Sequence, residues 1–284
     1  MSRKLNAQIE IRDAIPVKGG SINEAYQLIT SAGVFFLKKN HAIKFPKMFE
    51  KEAEGLQLLK ENCSVRIPEV ILAAEIGNEA LLVMEFIEGK SVDENEDKQL
   101  HSALGKGLAD LHKSSHEWYG LNHDNFMGSL VQENRFRETM SNFWINNRLK
   151  PQIKIAYDGG KFSKNDLQDM ERIYEKVDEI IPQEASALIH GDLWSGNIMF
   201  SKDGKPCIYD PAISYSHREV DLAMSNMFNA LDPAFYDAYN EAFPLEANWK
   251  ERIDFWNLYP FLIHVNLFGA SYLSTCRSII RAYS

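Results

Sequence analysis

Residues 190–210 read HGDLWSGNIMFSKDGKPCIYD, the most informative stretch of the chain. Asp203-Gly204 is a two-residue turn signal with an apolar run on each side, so it predicts a β-hairpin. If the hairpin is symmetric about that pair, Asn197 lies directly opposite Asp210, with Cβ atoms about 5 Å apart. An amide carbonyl and a carboxylate at that separation can bind one hard cation such as Mg²⁺, completed by phosphate oxygens and water.

Asp192 lies five residues before Asn197 in the same stretch. Gly191 and Gly196 permit the backbone to fold tightly around it. A carboxylate held in such a loop is placed to accept or orient a proton from an attacking hydroxyl. Any one Asp or Asn here can instead be a turn residue, but the combined spacing favours a catalytic and metal-binding loop.

The first third of the chain has the pattern of short strands around one helix. Apolar runs between turn signals predict strands at 25–29, 34–38, 70–74 and 80–86. Residues 46–61 have helical spacing, and a proline suits the first turn of that helix.

Helical spacing dominates the rest of the chain. Leucines recur from Leu100 to Leu111, and a second apolar stripe at 167–181 follows a Ser163 cap and ends at Pro182. We therefore predict an α+β fold with two lobes: a small β-rich N-lobe at 1–88, and a larger, mainly helical C-lobe at 89–284. The polar stretch GKSVDENEDK after residue 88 is either the hinge between the lobes or a surface loop.

Composition limits the class of protein. Of the 284 residues, 45% are hydrophobic and 25% charged, and the net charge is −9. These values are typical of a soluble globular protein, and the acidic balance argues against a basic nucleic-acid-binding face. Three scattered cysteines suggest neither disulfides nor a zinc site, and we see no signal peptide or membrane-spanning run. We expect a cytoplasmic protein with no nucleic-acid or membrane partner.

Glu52 is a carboxylate on the apolar face of the helix predicted at 46–61. On a helical wheel it falls among Met48, Phe49 and other apolar residues. A carboxylate directed at the core requires a cationic partner, and the nearest candidates are Lys38 and Lys39, which alternate between faces of a strand. Glu52 therefore either pairs with one of these lysines or reaches water at the rim of the stripe.

The motif HGDxxxxN, with an Asp thirteen residues after the Asn, resembles the catalytic and metal-binding loops of the protein-kinase-like fold. The variants HGD and DPA are similar to those of its small-molecule, aminoglycoside phosphotransferase-like kinases. Further segments resemble the fructosamine kinase (ketosamine 3-kinase) family: HGDLWSGN at 190–197, YDPAISYSHREVDLAM at 209–224, MFEKEAEGL at 48–56 and LFGASY at 267–272. The likeness runs from about residue 19 to residue 272.

The resemblance implies a role for each matching residue. Lys38, in the motif FLKKN, becomes the lysine that binds nucleotide phosphate, and Glu52 becomes its helix partner. Asp192 becomes the catalytic base, and Asn197 and Asp210 become the Mg²⁺ ligands. The implied cofactors are therefore ATP and Mg²⁺.

The resemblance also suggests a nucleobase site and a structural brace. Glu85, Phe86 and Ile87 match the hinge whose backbone would hydrogen-bond adenine. Asp221 matches an aspartate at the start of a helix that braces the catalytic loop.

Acceptor contacts are implied at two places. Trp194 would lie beside the acceptor sugar, where an aromatic face suits apolar CH groups, or else pack in the core. His217, Arg218 and Glu219 would either face the acceptor or serve a structural role.

The sequence departs from the family pattern at several positions. Residues 19–23 read GGSIN where a nucleotide-covering glycine loop is expected, and Ser21 stands where some members carry Cys. Ser216 replaces a usual Gly, and Ile263 stands where Asn is frequent. The last two departures bear on substrate preference.

The activity implied is ATP-dependent phosphorylation of a ketosamine (a fructosamine, ribulosamine or erythrulosamine) at the sugar 3-hydroxyl. The product would decompose and release the free amine, which is deglycation, so the expected partners are small-molecule ketosamines or glycated amines. One alternative is a kinase of the same fold that acts on an aminoglycoside, choline or another sugar. Others are an ATP-binding scaffold without chemistry and a hydrolase using Asp192 and His190.

Overall fold

A computed structural model of the protein describes residues 8–17, 22–91 and 93–284. Five of the described strands form an antiparallel sheet in the order β1-β2-β3-β5-β4. They are β1 Ile11–Pro16, β2 Glu24–Thr30, β3 Gly33–His41, β4 Val70–Ile76 and β5 Glu79–Glu85, and helix α1, Met48–Asn62, packs against β4 and β5. The strands and helix predicted in this region are confirmed, whereas β1 was not predicted. The expected glycine loop at Gly19, Gly20 and Ser21 lies outside the described residues.

The two faces of this sheet have different environments. Leu28, Phe35 and Val83 contribute to a small apolar cluster on one face. On the other, Leu82 and Met84 belong to the larger cluster that includes α1. All six residues of β1 are exposed. Because neither face of this strand is buried, its sequence has no regular alternation of apolar and polar residues, which is the signal that predicts a strand.

The connection to the helical part is shorter than its polar sequence suggests. Helix α2, Glu94–His112, begins inside the stretch GKSVDENEDK because the Asp93 side chain accepts hydrogen bonds from the N–H groups of Asn95 and Glu96, at 3.0 and 2.9 Å. Residues 86–91 and 93 are therefore the described part of the connection between β5 and α2. Lobe bounds of 1–88 and 89–284 stay a prediction.

Helices and short strands make up the remainder of the chain. The further α-helices are α3 Met140–Phe143, α4 Lys150–Asp158, α5 Lys164–Ile180, α6 Glu219–Asn226, α7 Pro233–Ala242, α8 Ile253–Phe268 and α9 Leu273–Tyr283, and a π-helical turn at Trp144–Leu149 joins α3 to α4. The strand pairs are β6 Asn125–Met127 with β7 Leu130–Gln132, β8 Ala187–Ile189 with β11 Ser214–Ser216, and β9 Ile198–Phe200 with β10 Pro206–Ile208. The predicted cap of α5 is confirmed, since Ser163 and Asp166 form a capping box.

Two large apolar clusters hold these elements together. One lies within the helical part, around Trp144 and Trp256. The other joins Leu56 of α1 to Leu108 of α2 and to Leu193, beside Asp192. Because the sheet helix and the catalytic loop share a core, burial of apolar surface fixes their relative position.

The three cysteines are free, as predicted. Burial raises the pKa of the Cys63 thiol to about 11, and of the Cys207 and Cys276 thiols to about 12. All three are therefore protonated at neutral pH. Within residues 8–17, 22–91 and 93–284, no helix combines the length and apolarity needed to cross a membrane.

Candidate active site

The catalytic loop at 190–197 is held at its start by Asp221 of α6. The carboxylate of Asp221 accepts hydrogen bonds from the backbone N–H groups of His190, at 2.7 Å, and Gly191, at 2.8 Å. Its third partner is His112, whose Nε2 lies 3.1 Å away. Gly191 has φ +81°, and a Cβ there would lie 2.1 Å from the Ala212 carbonyl oxygen, so glycine is required. The bracing role expected for Asp221 is confirmed.

Asp192 lies in an environment that favours a proton-accepting carboxylate. Asn197 Nδ2 donates to Oδ2 and to the main-chain oxygen of Asp192, both at 2.9 Å. Burial, together with the negative charge of Asp210, raises the pKa of Asp192 to about 7, while the bond from Asn197 opposes that rise. A carboxylate with a pKa close to neutral can take a proton from a hydroxyl and later release it.

Lys38 of β3 and Glu52 of α1 form a buried ion pair. Lys38 Nζ lies 2.7 and 2.9 Å from the two carboxylate oxygens of Glu52, and 3.0 Å from Asp210 Oδ1. Lys39 points the other way and pairs with exposed Glu79 at 2.6 Å. Of the two alternatives given for Glu52, the ion pair with a lysine is the one that the structure shows, and strand alternation is the reason that only one of the two lysines takes part.

Electrostatics within this group are governed by burial and by mutual charge. Burial alone would lower the pKa of Lys38, but the carboxylates of Asp210 and Glu52 raise it. Burial raises the pKa of Glu52, against the opposing charge of Lys38. Lys38 therefore stays charged beside an excess of carboxylate.

The hairpin register differs by one residue from the predicted one. Ile198 pairs with Ile208 and Phe200 with Pro206, so Tyr209, not Asp210, lies opposite Asn197. The prediction of a symmetric two-residue turn was wrong. The turn has three residues, 202–204, because Gly204 at φ +74° closes it in the left-handed conformation.

Asp210 reaches the site by another route. Its own φ of +58° turns the chain just after β10, and its carboxylate contacts Lys38. Its charge also acts on Asp192. Asp210 therefore reaches Lys38 and acts on Asp192 through its own positive φ, and not through the cross-strand pair with Asn197 that was expected.

The residues at this site fit a divalent cation completed by phosphate. The Lys38 ammonium contacts the carboxylates of Glu52 and Asp210, and Asp192 adds a third carboxylate to the group, so two negative charges remain when all four groups are ionised. Within the described part of the chain no group of three His, Cys, Asp or Glu side chains forms a complete metal cage. Magnesium is usually held by one or two protein oxygens plus substrate phosphates, and the Asn197 amide oxygen and the Asp210 carboxylate could supply them.

The expected hinge segment and a cavity beside the catalytic loop are the candidates for a nucleobase site. Phe86 and Ile87 follow β5, and their peptide groups make no hydrogen bond to another described residue. A cavity of about 480 Å³ is lined by the following residues 89–91, by Ser195 of the catalytic loop and by Ile198–Phe200. Peptide groups open at the hinge and an adjoining cavity could receive a purine nucleoside.

Trp194 starts a row of aromatic side chains beside the catalytic loop. Its ring covers Gly196, where an added Cβ would lie 2.2 Å from the indole. Phe228, 51% exposed, contacts Trp194 with ring centroids 5.9 Å apart, and His264 lies 5.4 Å beyond Phe228. Sequence reasoning missed Phe228 and His264 as possible acceptor contacts. Phe228 has a φ of +64°, which no residue pattern signals.

The segment expected either to face the acceptor or to be structural is buried. Arg218 donates to both Glu184 oxygens, at 2.6 and 2.7 Å, and Glu219 pairs with Arg252 at 2.6 and 2.8 Å. His217 is fully buried with Nε2 3.7 Å from Glu184. These partners favour the structural alternative, so we do not place the three side chains in the acceptor site.

Ser216 and Ile263, the two departures expected to bear on substrate preference, are also buried. Ser216 Oγ contacts the Met140 sulfur at 3.7 Å, and Ile263 belongs to the helical core. Neither side chain is exposed to an acceptor. An effect of these residues on substrate preference would therefore have to act through packing.

The fold and the site define a phosphotransferase of the protein-kinase-like class with an alcohol group as acceptor. A solved structure that the chain resembles is a putative fructosamine-3-kinase from Thermobifida fusca, with a TM-score of 0.86 and 30% identity over 96% of this chain and 94% of that one. The two proteins therefore share the bilobal kinase-like fold.

Sequence comparisons define the family. The family model for fructosamine kinase matches residues 1–284. A probable ketoamine kinase from Enterococcus faecium is 36% identical over 99% of this chain and 96% of its own length. A chloroplastic protein-ribulosamine 3-kinase from Arabidopsis thaliana is 37% identical over 94% of this chain and 81% of its own length. The chain belongs to the fructosamine kinase family.

Proposed function

We propose that the protein transfers the γ-phosphoryl group of ATP to the sugar 3-hydroxyl of a ketosamine. The observation that carries this proposal is the position of Asp192, bound to Asn197 and electrostatically coupled to Asp210, which contacts Lys38. The residues proposed as proton acceptor, metal ligands and phosphate-binding cation are thus connected within one group. The relative named a protein-ribulosamine 3-kinase supports the 3-hydroxyl as acceptor.

In this proposal Lys38 holds the nucleotide phosphates, and Glu52 fixes the direction of its ammonium. Asn197 and Asp210 hold Mg²⁺. When bound, the ion neutralises charge that develops on the transferred group. The backbone of Glu85, Phe86 and Ile87 positions adenine, and the cavity beside residues 89–91 receives the ribose.

Asp192 orients the attacking hydroxyl and accepts its proton. As that oxygen bonds to the γ-phosphorus, the bond from the γ-phosphorus to the ADP oxygen breaks, and ADP leaves. The pKa of Asp192, raised by burial and by Asp210, makes this carboxylate a stronger base than an ordinary aspartate as the hydroxyl loses its proton in the transition state.

The aromatic row supplies one wall of the acceptor site. Trp194 lies two residues after the base, and Phe228 extends the apolar surface outward. Aromatic faces pack against the CH groups of sugars and attract a secondary ammonium, both of which a ketosamine offers. Phosphorylation there would destabilise the adduct and release the amine, which is deglycation.

Two alternatives have weaker support. A same-fold kinase for an aminoglycoside, choline or another sugar would use the same nucleotide site, but the chain's family membership favours a ketosamine. A hydrolase would need His190 to activate a nucleophile. Its Nδ1 accepts from the Asp192 N–H at 3.3 Å and its Nε2 lies 3.0 Å from the Tyr209 carbonyl, so neither ring nitrogen is free.

The test compares a panel of acceptors and includes one pair that differs only at the sugar 3-hydroxyl. Wild-type protein with MgATP is assayed for ATP consumption and product mass on fructosamines, ribulosamines and erythrulosamines, and on aminoglycosides and choline. A 3-O-methyl ketosamine, which has no free 3-hydroxyl, serves as the matched control. We expect phosphorylation of at least one ketosamine and none of its methylated analogue. Turnover of the methylated analogue or of choline alone would contradict the proposal.

A cytoplasmic location and the absence of nucleic-acid or membrane partners also stay proposals. Free, largely buried thiols at Cys63, Cys207 and Cys276 support a reducing compartment. The net charge of −9 supports the absence of a nucleic-acid partner.

A further inference from the structure

We propose that Arg66 is a positioning residue that holds the hinge and the hairpin of the active site at a fixed separation. Its Nη2 lies 2.5 Å from Glu85 Oε1 at the end of β5, and its Nη1 lies 2.6 Å from Asp203 Oδ1 in the turn between β9 and β10. One planar guanidinium therefore bridges two carboxylates from different parts of the fold. The inference rests on the proposed function, because it assigns Arg66 to the nucleotide site.

Main-chain hydrogen bonds strengthen this connection on one side of the hairpin. The N–H of Arg66 donates to the Pro206 carbonyl at 3.1 Å, and the N–H of Ile208 donates to the Arg66 carbonyl at 3.1 Å. The segment before β4 therefore joins β10 through an isolated parallel β-bridge between Arg66 and Cys207.

The other side of the hairpin is joined to the linker that follows the hinge. The Lys90 N–H donates to the Phe200 carbonyl, and the Lys202 N–H donates to the Glu88 carbonyl, both at 2.9 Å. The hairpin is thus enclosed between two segments that both connect to the N-terminal sheet.

The position of this hairpin matters because the proposed metal ligands lie at its two ends. Asn197 immediately precedes β9, and Asp210 lies two residues after β10. Glu85 begins the proposed adenine-binding hinge. A bound nucleotide must reach from the hinge, which would hold its adenine, to the metal ligands, which would hold its phosphates. A change in the distance between Glu85 and Asp203 would therefore change the distance that the nucleotide has to span.

A purely stabilising role for Arg66 is less consistent with its exposure. The side chain of Arg66 is 27% exposed, and those of Glu85 and Asp203 are 36% and 49% exposed. Ion pairs in such positions are partly screened by water and contribute little to folding stability. Loss of Arg66 should therefore affect nucleotide binding more than unfolding.

The experiment measures nucleotide affinity and stability together in the full-length protein. We compare wild type, Arg66→Met and Arg66→Lys by the Kd for a non-hydrolysable ATP analogue with Mg²⁺, by the KM for ATP and for the acceptor, and by the melting temperature. Arg277→Met is the matched control, since Arg277 makes a similar guanidinium–carboxylate contact with Asp166 at 2.9 Å in the helical part.

We expect Arg66→Met to raise the nucleotide Kd and the ATP KM about fivefold, with the acceptor KM within twofold of wild type. Arg66→Lys should recover part of this loss because lysine reaches one carboxylate but not both. Arg277→Met should lower the melting temperature without changing the Kd, because its partner Asp166 is only 12% exposed and would lose its cation. Asp203→Asn, a milder change at the exposed turn, should raise the Kd in the same direction if Arg66→Met does not fold.

The inference is overturned if Arg66→Met and Asp203→Asn leave the nucleotide Kd within twofold of wild type. It is also overturned if Arg277→Met raises the Kd as much as Arg66→Met does, which would show a general effect of stability. Because the Kd is measured without an acceptor, failure of every ketosamine to react would contradict the proposed function while leaving this result interpretable.

Discussion

Among the described residues, the charged side chains at the catalytic loop and those at the start of α6 form two groups that differ in charge balance. At the catalytic loop, the ammonium of Lys38 contacts Glu52 and Asp210, and Asp192 adds a third carboxylate. Asp210 retains 38% exposure, so this group borders solvent. If all four groups are charged, two negative charges are not neutralised by Lys38.

The second group, around the start of α6, is balanced. Arg218 pairs with Glu184, and Arg252 pairs with Glu219. Burial lowers the pKa of His217, so the adjacent imidazole is neutral. Two cations and two anions neutralise each other without any ligand.

The difference separates a binding site from a structural network. Uncompensated buried charge is unfavourable unless a ligand supplies the opposite charge, whereas a balanced network is complete when the chain folds. The sequence motif places candidates in both groups. Charge balance in the folded protein distinguishes them, and substitutions in each group should have opposite consequences for activity and stability.

The largest expected effect is at Asp192. Asp192→Asn removes the proton acceptor and should lower kcat by about 10²- to 10⁴-fold. Stability should be unchanged or higher, because the substitution removes a carboxylate that burial and Asp210 disfavour. Steady-state kinetics and thermal unfolding measure both. Asp158→Asn, at a carboxylate that is 57% exposed, is the control. A kcat within tenfold of wild type for Asp192→Asn would contradict the assignment of Asp192 as the catalytic base.

The converse is expected at Glu219. Glu219→Gln leaves Arg252, whose side chain is 14% exposed, without its anion and should lower the free energy of unfolding by about 2–3 kcal/mol. Nucleotide Kd should not change, since every observed partner of Glu219 lies in the helical part. Urea denaturation and nucleotide titration measure the two quantities. A variant with normal stability and impaired acceptor binding would return Glu219 to the acceptor site.

A smaller effect is expected where the catalytic loop meets the aromatic row. In Gly196→Ala the new Cβ would lie 2.2 Å from Trp194, so the indole must move. The acceptor KM should rise about tenfold while the nucleotide Kd stays constant. Trp194→Leu should give the same change in KM. If neither variant alters the acceptor KM, Trp194 belongs to the core and not to the acceptor wall.

The smallest effect concerns a balanced pair far from the chemistry in the fold. Burial alone would raise the pKa of Asp166, but Arg277 and the Ser163 hydrogen bonds lower it to about 2. Because this folded-state pKa is below that of the unfolded chain, the stabilisation is present above about pH 4 and is lost as the pH falls towards 2. Asp166→Asn should lower stability by about 1 kcal/mol at pH 7 and flatten the pH dependence between pH 4 and 2. The free energy of unfolding is measured against pH for both proteins. Equal slopes for wild type and Asp166→Asn between pH 4 and 2 would contradict this assignment.

The sequence predicts the features that depend on the spacing of residues close together along the chain. Helical periodicity placed Glu52 on the apolar face of α1, and strand alternation allowed only one of Lys38 and Lys39 to meet it. The family resemblance selected Lys38, which is the lysine that contacts Glu52. The spacing of Asp192 and Asn197 likewise predicts a compact loop, and the two residues are hydrogen-bonded.

Features that depend on backbone conformation or distant packing were not predictable. The hairpin register depends on the left-handed conformation of Gly204. Asp210 likewise reaches Lys38 because its own φ is positive. Phe228 shares that conformation and follows no pattern. Burial of Arg218 depends on Glu184, 34 residues away, which no periodicity connects to it.

The central claim is that the unbalanced group at the catalytic loop transfers phosphate to a ketosamine. The most direct measurement follows the label from γ-labelled ATP into ribulosamine and fructosamine acceptors, with the phosphorylated position read by NMR. We expect label at the sugar 3-position with wild-type protein and Mg²⁺, and its loss when Mg²⁺ is omitted or Asp192 is replaced by Asn. Binding of ATP and Mg²⁺ without transfer of label to any ketosamine would contradict the account.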